Sequence, residues 1–435
     1  MLAGSVCQTR WSAKTTLSSA MYRNVQQSEL DRVVMSLGDA VSAVLRDVHA
    51  LPPVSLPIAE ALACVAQETI VAPADVPGFL SAAMDGYAVR HADCAGATAD
   101  HPRYLPVAGT SVAGGGPVIC APGSACKVMT GGWLPEGSDT VVPWEYTDLG
   151  RAVVGIRGAP RLSENVRQPG EEIAAGQILF GAGTLMSPLH IAALAAIGRS
   201  SVVATPKPRI GILTTGDEIV QSGATCGPGQ IFDSNGPFLS AFVAMHGASP
   251  VLRASSGDQR SIVKDSLTRM AQSVDLVVTT GGASVGEQDW VREIVEVDGC
   301  LVFWRVSIKP GKPVAYGRLA GTPLLALPGN PNSVAACSAV FLGPILQLLS
   351  GRDPEAGTIR AQLAEQIAPD RHRTLLVPVR LEGGVAIPMS KGHRAGLGDL
   401  TPADGVAIVS PQASSRTDEV NVVLFPTLSS AVLNL

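Results

Sequence analysis

The spacing of hydrophobic residues predicts helices and a strand-rich block in the first half of the chain. Apolar residues recur at helical spacing in three segments, at 36–45, 58–66 and 187–197. In the third segment, Ser187 suits the N-cap and Pro188 suits the first helical position. Between the second and third segments, short apolar runs alternate with glycine and proline, which predicts a β-rich block over residues 72–175.

The pattern changes near residue 206, where apolar strands begin to alternate with helical segments. Strands are predicted at 210–214, 251–252, 276–278, 301–303 and 324–327. This alternation predicts a doubly wound α/β domain over residues 206–351. Beyond a linker at 351–354, short alternating strands predict a small β-barrel or sandwich within residues 352–435.

One stretch of the α/β domain, residues 275–290, combines a strand, a glycine turn and a helix. Its apolar run ends at Thr279-Thr280-Gly281-Gly282, and the next helix begins near Trp290. Two adjacent glycines allow a sharp turn with exposed N–H groups, an arrangement that holds anions at the carboxyl edge of an open sheet. For a single glycine pair, an ordinary turn between strand and helix remains the alternative.

Composition narrows the class of protein. A chain of 435 residues suggests about three domains, at ~150 residues each. With 46% hydrophobic and 16% charged residues it is globular, and a net charge of −5 gives no support for nucleic-acid binding. The eight cysteines are scattered without a CxxC pair, which predicts free thiols and no zinc site.

Two segments have some features of a membrane span or a targeting signal. The apolar stretch 333–349 is interrupted by Ser338, Pro344 and Gln347, which favours a core helix over a membrane span. Residues 1–30 carry basic residues before the first acid but lack the apolar core of a secretory signal. We expect a disordered extension there, or a start site placed too early, since Met21 is available.

Charged and hydroxyl residues follow the predicted strands of the α/β domain. They are Glu218, Asp258, Glu287, Asp289, Lys309, Lys312 and Ser333. Lysines beside glycine turns indicate an anionic ligand, and carboxylates at the same edge would repel it unless a divalent cation lies between them. The residues therefore predict a phosphate- or oxyanion-bearing substrate held with Mg²⁺.

The sequence lacks the motifs of P-loop nucleotide hydrolases, zinc proteases and serine hydrolases. Each candidate site residue, taken alone, also fits a purely structural role. The sequence contains neither GxxxxGK[ST] nor HExxH, and Ser284 lacks the GxSxG setting of a hydrolase. Taken one by one, Asp85 fits a turn and Thr130 a strand end. The two lysines fit a solvated surface, and two prolines, Pro328 and Pro331, fit a shaped loop.

Six motifs that occur in order along the chain favour a functional site over these structural roles. They are Met84-Asp85-Gly86-Tyr87-Ala88, Met129-Thr130-Gly131, Thr215-Gly216-Asp217-Glu218, the run from Thr280 to Asp289, Ile308-Lys309-Pro310-Gly311-Lys312-Pro313 and Leu327-Pro328-Gly329-Asn330-Pro331. The set strongly resembles the molybdopterin molybdenumtransferase family, which includes MoeA and the gephyrin E domain. The resemblance covers about residues 36–435 and is closer before residue 350 than after it.

The resemblance implies a multidomain α/β fold with four parts. These are a MogA-like α/β domain at 206–351, an inserted β-rich domain at 72–175, a helical and mixed linking domain formed by 31–71 with 176–205, and a C-terminal β-barrel at 352–435. It also implies an elongated homodimer in the cytoplasm. The site would lie between the α/β domain of one subunit and the β-rich domain of the other.

The implied reaction inserts molybdenum from molybdate into adenylylated molybdopterin, with release of AMP and a requirement for Mg²⁺. We hypothesise that Mg²⁺ and lysines polarise the phosphoanhydride while a molybdate oxygen or water attacks it. The implied partners are a second copy of the chain, a molybdopterin adenylyltransferase and molybdoenzyme maturation factors. Neither nucleic acid nor a membrane is expected as a partner.

The motif match carries the family's site residues onto this chain. Glu218, Asp258 and Asp289 would serve the metal and the diphosphate, and Asp85 and Thr130 would complete the catalytic set from the partner subunit. Substrate-binding positions would be Arg167, Ser284, Arg305, Lys309, Lys312, Pro328, Pro331 and Ser333, with Glu172 in the same loop as Arg167.

Two departures from the family pattern concern the oxyanion contacts. Gln259 follows Asp258 where the family often has paired acids. The tail loop at 391–398 lacks the family's serine and carries Arg394 instead, so its oxyanion contacts, with that of Arg373, stay open.

Two other functions remain alternatives. A molybdopterin adenylyltransferase shares the α/β fold but is typically a single small domain. A non-catalytic scaffold of the gephyrin type is the other, and the choice between molybdate and tungstate is open.

Overall fold

The chain folds into two compact units in a computed structural model, which describes residues 34–257, 259–281, 290–389, 396–411 and 419–426. Unit 1 takes residues before 56, residues 63–65 and the chain from 203 onward. Unit 2 takes Leu56–Leu62 and Ala66–Val202. The predicted extension at 1–30 lies outside the described residues, and the finer domain boundaries stay a prediction.

The first described helix opens unit 1. Helix α1 (Leu37–Asp47) is capped by Ser36, whose Oγ accepts a hydrogen bond from the N–H of Asp39 at 3.2 Å. Its buried face carries Leu37, Ala40 and Val44 at the spacing that predicted it. The helix therefore packs its apolar face into the main core of unit 1.

The predicted helix at 58–66 is wrong. This stretch forms turns and a short strand, within a run that holds β1 (Val54–Pro57), β2 (Val65–Ala66) and β3 (Ile70–Val71). Ala63 adopts a φ of 63°, which a helix does not allow, and Ile58 bonds its N–H to the carbonyl of Ser200. In residues 58–66, backbone pairing with distant segments therefore overrides the helical spacing of the apolar residues.

A five-stranded sheet forms the centre of unit 2, with the order β8-β5-β7-β6-β9. The elements in this part of the chain are β4 (Ser81–Ala82), β5 (Gly86–Val89), β6 (Arg103–Ser111), β7 (Ala125–Val128), β8 (Thr140–Pro143), β9 (Val153–Ile156), β10 (Val166–Arg167), β11 (Ile178–Phe180), α2 (Pro188–Ala196) and β12 (Ser201–Thr205). Side chains alternate between two buried clusters, one including Tyr87 and Val142 and the other including Ala88 and Val141. The predicted β-rich block and the helix after Ser187 are present.

The α/β part of unit 1 is doubly wound, as predicted. Its elements are β13 (Arg209–Thr215), β14 (Ile219–Val220), β15 (Ile231–Phe232), α3 (Asn235–Met245), β16 (Ser249–Ser256), α4 (Arg260–Ala271), β17 (Leu276–Thr280), α5 (Trp290–Asp298), β18 (Gly299–Trp304), β19 (Ile308–Lys309), β20 (Ala315–Leu319), β21 (Thr322–Leu327), α6 (Pro331–Cys337) and α7 (Gly343–Leu349). The main sheet has the order β16-β13-β17-β21-β20-β18, and its first four strands are parallel. Separate apolar cores cover its two faces.

Helices α6 and α7 are joined by a π-helical turn, Ser338–Leu342, into one apolar rod. The segment Pro331–Leu349 is long and apolar enough to cross a membrane, but 89% of its most apolar window is buried inside the protein. This burial favours the predicted core helix.

The tail of unit 1 closes into a β-barrel. It contains β22 (Thr358–Leu363), β23 (Thr374–Glu382), β24 (Val385–Pro388), α8 (Leu397–Leu400), β25 (Gly405–Val409) and β26 (Glu419–Leu424). The ring runs β23-β24-β22-β26-β25 and closes where β25 pairs with β23. This barrel confirms the predicted fold of the tail, and β19 adds to it beside β23.

Candidate active site

The carboxyl ends of four parallel strands lie in one row in unit 1. Thr214 is opposite both Ser255 and Thr280, and Thr280 is in turn opposite Leu327. The residues that follow the four strands therefore share one edge of the sheet, and they are Gly216, Gly257, Gly281 and Pro328. Open α/β sheets bind ligands at this edge.

Asn235 ties three of the loops at this edge together. Its Nδ2 donates to Thr280 Oγ1 at 3.0 Å and to the carbonyl of Gly329 at 2.8 Å. The hydroxyl of Thr280 donates in turn to the carbonyl of Pro328 at 3.1 Å. Sequence reasoning missed Asn235 in this role because its partners lie 45 and 94 residues away.

A buried ion pair supports the first turn of α3, where Asn235 lies. Asp233 is only 3% exposed and pairs with Arg253 at 2.8 Å. Its other oxygen accepts the N–H of Gly236 at 2.8 Å. A carboxylate at a helix N-terminus also interacts favourably with the helix dipole. Asp233 was not predicted as a site residue, and its position just before a helix was the available signal.

Gly281 and Gly216 are needed for the close approach of these loops. Gly281 has a φ of +86°, and a Cβ there would lie 2.3 Å from the carbonyl oxygen of Thr215. A Cβ on Gly216, which has a φ of +144°, would lie 2.5 Å from Glu218 Oε2. The glycine turns predicted from sequence thus allow backbones and a carboxylate to meet.

Two neighbouring carboxylates lie over the glycine edge. Glu218, a predicted metal ligand, folds back over Gly216, and Asp217 Oδ1 would be 2.5 Å from a Cβ on Gly257. Sequence reasoning named the motif that contains Asp217 but gave that residue no role. Gly257 immediately precedes Asp258 in the sequence, and Asp258 lies outside the described residues.

The start of α6 places Pro331 and Ser333 directly after this edge. Asn330 caps the helix by accepting the N–H groups of Asn332 at 3.0 Å and Ser333 at 3.4 Å, and Pro331 occupies the first position. Ser333 is buried, with 6% of its surface exposed. These predicted residues therefore gather with Pro328 and Glu218 around one edge.

The loop that carries Lys309 and Lys312, here called the lysine loop, approaches α6 one helical turn beyond Ser333. Gly311, with a φ of +102°, would place a Cβ 2.4 Å from Cys337 Sγ, and Cys337 is four residues after Ser333. Lys309 is half-buried and Lys312 is exposed. The structure thus brings the lysine loop to the same helix face as Ser333.

The barrel brings Arg373 next to the lysine loop. Ile308 and Lys309 pair with Thr374 and Leu375 in parallel register. Arg373 also pairs with Asp370 at 2.9 Å. The pKa of Asp370 is lowered to about 2, mainly by a hydrogen bond from the N–H of His372 and next by one from the side chain of Arg373. The tail loop at 390–395 lies outside the described residues.

Arg305, a predicted substrate-binding residue, packs against an aromatic side chain of its own unit. Its guanidinium stacks 3.7 Å from the ring centroid of Trp304, and Arg292 stacks on the same ring at 3.5 Å. This packing supplies a structural function for Arg305. Its predicted substrate contact stays a prediction.

In unit 2, Asp85 and Thr130 form a hydrogen-bonded pair. Thr130 donates to Asp85 Oδ1 from its backbone N at 2.7 Å and from its hydroxyl at 2.9 Å. The N–H bond first, then the hydroxyl bond and the charge of Lys127, lower the pKa of Asp85 below its ordinary 3.8. A Cβ on Gly86 would lie 2.1 Å from the carbonyl of Val142, which explains the glycine after Asp85.

An ion pair joins two other predicted residues of unit 2. Arg167 Nη1 lies 3.2 Å from Glu172 Oε1, and both side chains are exposed. Arg167 pairs in register with Ser81, four residues before Asp85. The two predicted pairs of unit 2 therefore lie on neighbouring segments.

Three predicted site residues, Asp258, Ser284 and Asp289, lie outside the described residues, as does Glu287. Among the residues that are described, no group of three or more His, Cys, Asp or Glu side chains could hold a metal ion. The donors at the edge are carboxylate and hydroxyl oxygens, and Thr215 Oγ1 is buried there without a hydrogen-bond partner in the described part of the chain. An all-oxygen donor set fits Mg²⁺.

Comparison with known proteins decides the family. Residues 35–198 match the family description "MoeA N-terminal region (domain I and II)", and residues 211–348 match "Probable molybdopterin binding domain". A molybdopterin molybdenumtransferase 2 of Mycobacterium tuberculosis is 36% identical over 310 residues, which cover 70% of this chain and 76% of the relative. The chain belongs to the MoeA family of molybdopterin molybdenumtransferases.

Further MoeA-family proteins agree with this assignment and confirm the resemblance. The molybdopterin molybdenumtransferase of Haemophilus influenzae is 32% identical over 299 residues, covering 68% of this chain and 73% of the relative. Two crystal structures of the molybdopterin biosynthesis MoeA protein from Pyrococcus horikoshii each align over their full length. They have TM-scores of 0.71 and 0.64, cover 91% and 90% of this chain and are 30% and 26% identical. The protein is therefore an enzyme with the MoeA-like multidomain fold.

Proposed function

We propose that this enzyme acts in molybdenum cofactor biosynthesis by inserting molybdenum from molybdate into adenylylated molybdopterin, with release of AMP. The names of its curated relatives support the pathway and the transfer. The observation that carries the finer proposal is the row of strand ends at Thr214, Thr280 and Leu327, with Glu218 on one side and the lysine loop on α6 nearby. Such an edge suits a diphosphate-linked substrate.

The residues of unit 1 would bind and orient the substrate. Lys309 and Lys312 supply positive charge for phosphate or molybdate oxygens, as point charges on flexible stems. The capped start of α6 at Ser333 adds the favourable end of a helix dipole. Asn235 and Thr280 keep the edge loops in register, so that the phosphates meet an ordered backbone.

Asp85 would orient hydrogen-bond donors of the substrate rather than abstract a proton. Its lowered pKa makes it a weak base near neutral pH. Both hydrogen bonds from Thr130 use Oδ1, which leaves Oδ2 available to accept an N–H or a water. The carboxylate therefore provides fixed negative charge in the proposed reaction.

Mg²⁺ would be held by Glu218, Asp258 and Asp289, and when bound it would neutralise phosphate charge at the anhydride. The oxygen-only donors at the edge support this choice of ion. Glu218 would also keep solvent from the glycine turn, because its carboxylate lies over Gly216.

We further propose that two copies of the chain form a homodimer in the cytoplasm. Residues in both units carry family motifs, and a dimer would let Asp85 of one copy serve the lysine loop of another. The described cysteines form no disulfide with one another, which suits a reducing compartment. Molybdopterin adenylyltransferase and molybdoenzyme maturation factors remain proposed partners before and after this step.

AMP release tests the proposal. Purified protein is incubated with adenylylated molybdopterin, with and without molybdate and Mg²⁺, and AMP is quantified by chromatography. We expect release only with both additions, and a loss of at least about tenfold in Glu218→Gln, equivalent to ~1.4 kcal/mol. Glu365→Gln removes an exposed carboxylate outside the site and should behave as wild type. Consumption of ATP with free molybdopterin would instead identify an adenylyltransferase.

A further inference from the structure

Unit 2 contains a cavity of about 440 Å³ that the predicted site residues do not line. Its polar and aromatic lining includes Tyr87, Thr110, Lys127, Trp144 and Arg151. The volume falls within the range of about 300–1,000 Å³ typical of small-molecule sites. The cavity therefore has room for more than a single small ion.

The sheet register places this cavity beside Asp85. Tyr87 is opposite Lys127 on one neighbouring strand and opposite Val142 on the other, so these side chains share a face. Asp85 precedes Tyr87 by two positions, and the N–H of Trp144 donates to its carbonyl at 3.3 Å. Lys127 also acts on the charge of Asp85, whose pKa it helps to lower after the two bonds from Thr130.

The lining favours an anion. Lys127 and Arg151 contribute positive charge, and Lys127 Nζ lies 5.3 Å from the ring centroid of Trp144. Trp144 Nε1 is buried, and within the described residues no acceptor bonds to it. That N–H is out of reach of a ligand in the open cavity, so recognition falls to the two cations and the ring of Trp144.

The carboxylate of Asp148, in the turn that precedes Arg151, is hydrogen-bonded to the backbone. Asp148 Oδ1 accepts the N–H groups of Gly150 at 3.0 Å and Gly155 at 2.8 Å. These bonds hold it to the backbone of the turn, while the hydroxyl of Tyr87 donates to the carbonyl of Gly150 at 3.0 Å. These bonds fix the shape of the turn that carries Leu149, Gly150 and Arg151 into the lining of the cavity.

We propose that this cavity binds a phosphate monoester, with the phosphate between Lys127 and Arg151 and an attached ring against Trp144. Two cations match a dianionic phosphate. The remaining volume and the aromatic wall match a planar ring. Because the choice of AMP as the physiological ligand rests on the proposed function, binding is tested apart from turnover.

The test is calorimetric titration of the full-length protein with AMP, inorganic phosphate and adenosine at low salt, without molybdate. We expect AMP to bind more tightly than inorganic phosphate, because only AMP fills the volume beside Trp144, and adenosine to bind more weakly than either. Arg151→Ala should weaken AMP binding by about tenfold, which is a typical effect of losing one charged contact. Trp144→Phe, which reduces the ring area against the ligand, should weaken it by about threefold.

Three further variants make the result specific. Arg161→Ala removes an exposed cation outside the lining of the cavity and should bind AMP as wild type does. Lys127→Ala should weaken binding and Lys127→Arg should restore it, because the charge is kept. A thermal melt of each variant confirms folding.

Several results would overturn the inference. They are wild-type affinity in both Arg151→Ala and Trp144→Phe, equal affinity for adenosine and AMP, binding of inorganic phosphate as tight as that of AMP, or no AMP binding to the wild type. The inference can fail while molybdate-dependent AMP release still depends on Glu218, and it can hold while that release is absent, so the two proposals fail independently.

Discussion

Thr130 donates two hydrogen bonds to a single oxygen of Asp85, one from its backbone N and one from its hydroxyl. The pair joins the end of β7 to the start of β5, 45 residues apart in sequence. It keeps the carboxylate ionised over a wide pH range because both bonds favour the charged form.

Replacing Thr130 with Val should raise the pKa of Asp85 toward 3.8, since the hydroxyl bond is lost and the N–H bond remains. A carboxyl pKa below its unfolded value stabilises the fold above the unfolded pKa, and this stabilisation is lost as the pH falls through the folded pKa. The variant should therefore differ most from wild type near neutral pH and converge with it in strong acid. Carbon-13 NMR titration of the Asp85 carboxyl measures the shift.

Thr130→Ser is the matched control for that titration, because it keeps the hydroxyl. Its Asp85 pKa should stay at the wild-type value. An unchanged pKa in Thr130→Val would show that the hydroxyl bond has no influence on the carboxylate.

Replacing Gly281 with Ala should destabilise unit 1 much more than the same change at Gly321. Both glycines have a φ of +86°, but a Cβ at Gly321 meets nothing within 4 Å, whereas one at Gly281 meets the carbonyl of Thr215 at 2.3 Å. The shared φ costs about 1 kcal/mol in each variant. The clash should add about 1–3 kcal/mol at Gly281 alone. Urea denaturation followed by tryptophan fluorescence measures both variants, and equal losses would contradict the close approach of the loops.

Replacing Asn235 with Ala should lower both stability and turnover. Two hydrogen bonds are lost, to Thr280 and Gly329, at about 1 kcal/mol each. Asn421→Ala, at an exposed position of the barrel, serves as the control and should change stability by less than about 0.5 kcal/mol. A stable Asn235→Ala protein with full AMP release would show that the edge loops need no such tie.

Removing divalent metal with EDTA should abolish AMP release and leave the fold unchanged, since the proposed ion is held partly by substrate phosphate. Added Mg²⁺ should restore release in wild type but much less in Glu218→Gln. Release assays paired with circular dichroism separate the two effects. Full activity in EDTA would exclude the magnesium proposal.

Local patterns predicted the α/β sheet, the barrel and the glycine turns because each depends on short-range periodicity and backbone freedom. Gly281 and Gly216 are examples, since their φ values suit glycine. The helix at 58–66 failed because its backbone pairs with distant segments, including Ser200. Asn235 could not be predicted as a tie between loops, because its partners become neighbours only after the sheet has formed.

In the candidate site, too, some features were predictable from the sequence and others depend on contacts made only in the folded chain. Asp85 precedes one strand and Thr130 follows another, as the motifs predicted, and the structure places the two residues in contact. The stacking of Arg305 on Trp304 depends on side-chain geometry that no spacing rule contains. Asp217 and Glu218 are adjacent carboxylates, and only the folded structure shows that one lies next to Gly257 and the other over Gly216.

The central claim is that the edge around Glu218 and Thr280 couples molybdenum insertion to cleavage of the AMP bond. The most direct measurement follows AMP release and molybdenum incorporation in the same reaction, by chromatography and metal analysis. Our account predicts equal amounts of the two products, both falling together in Glu218→Gln and in Lys309→Ala. Molybdenum incorporated without AMP release, or AMP released at the full rate without molybdate, would contradict it.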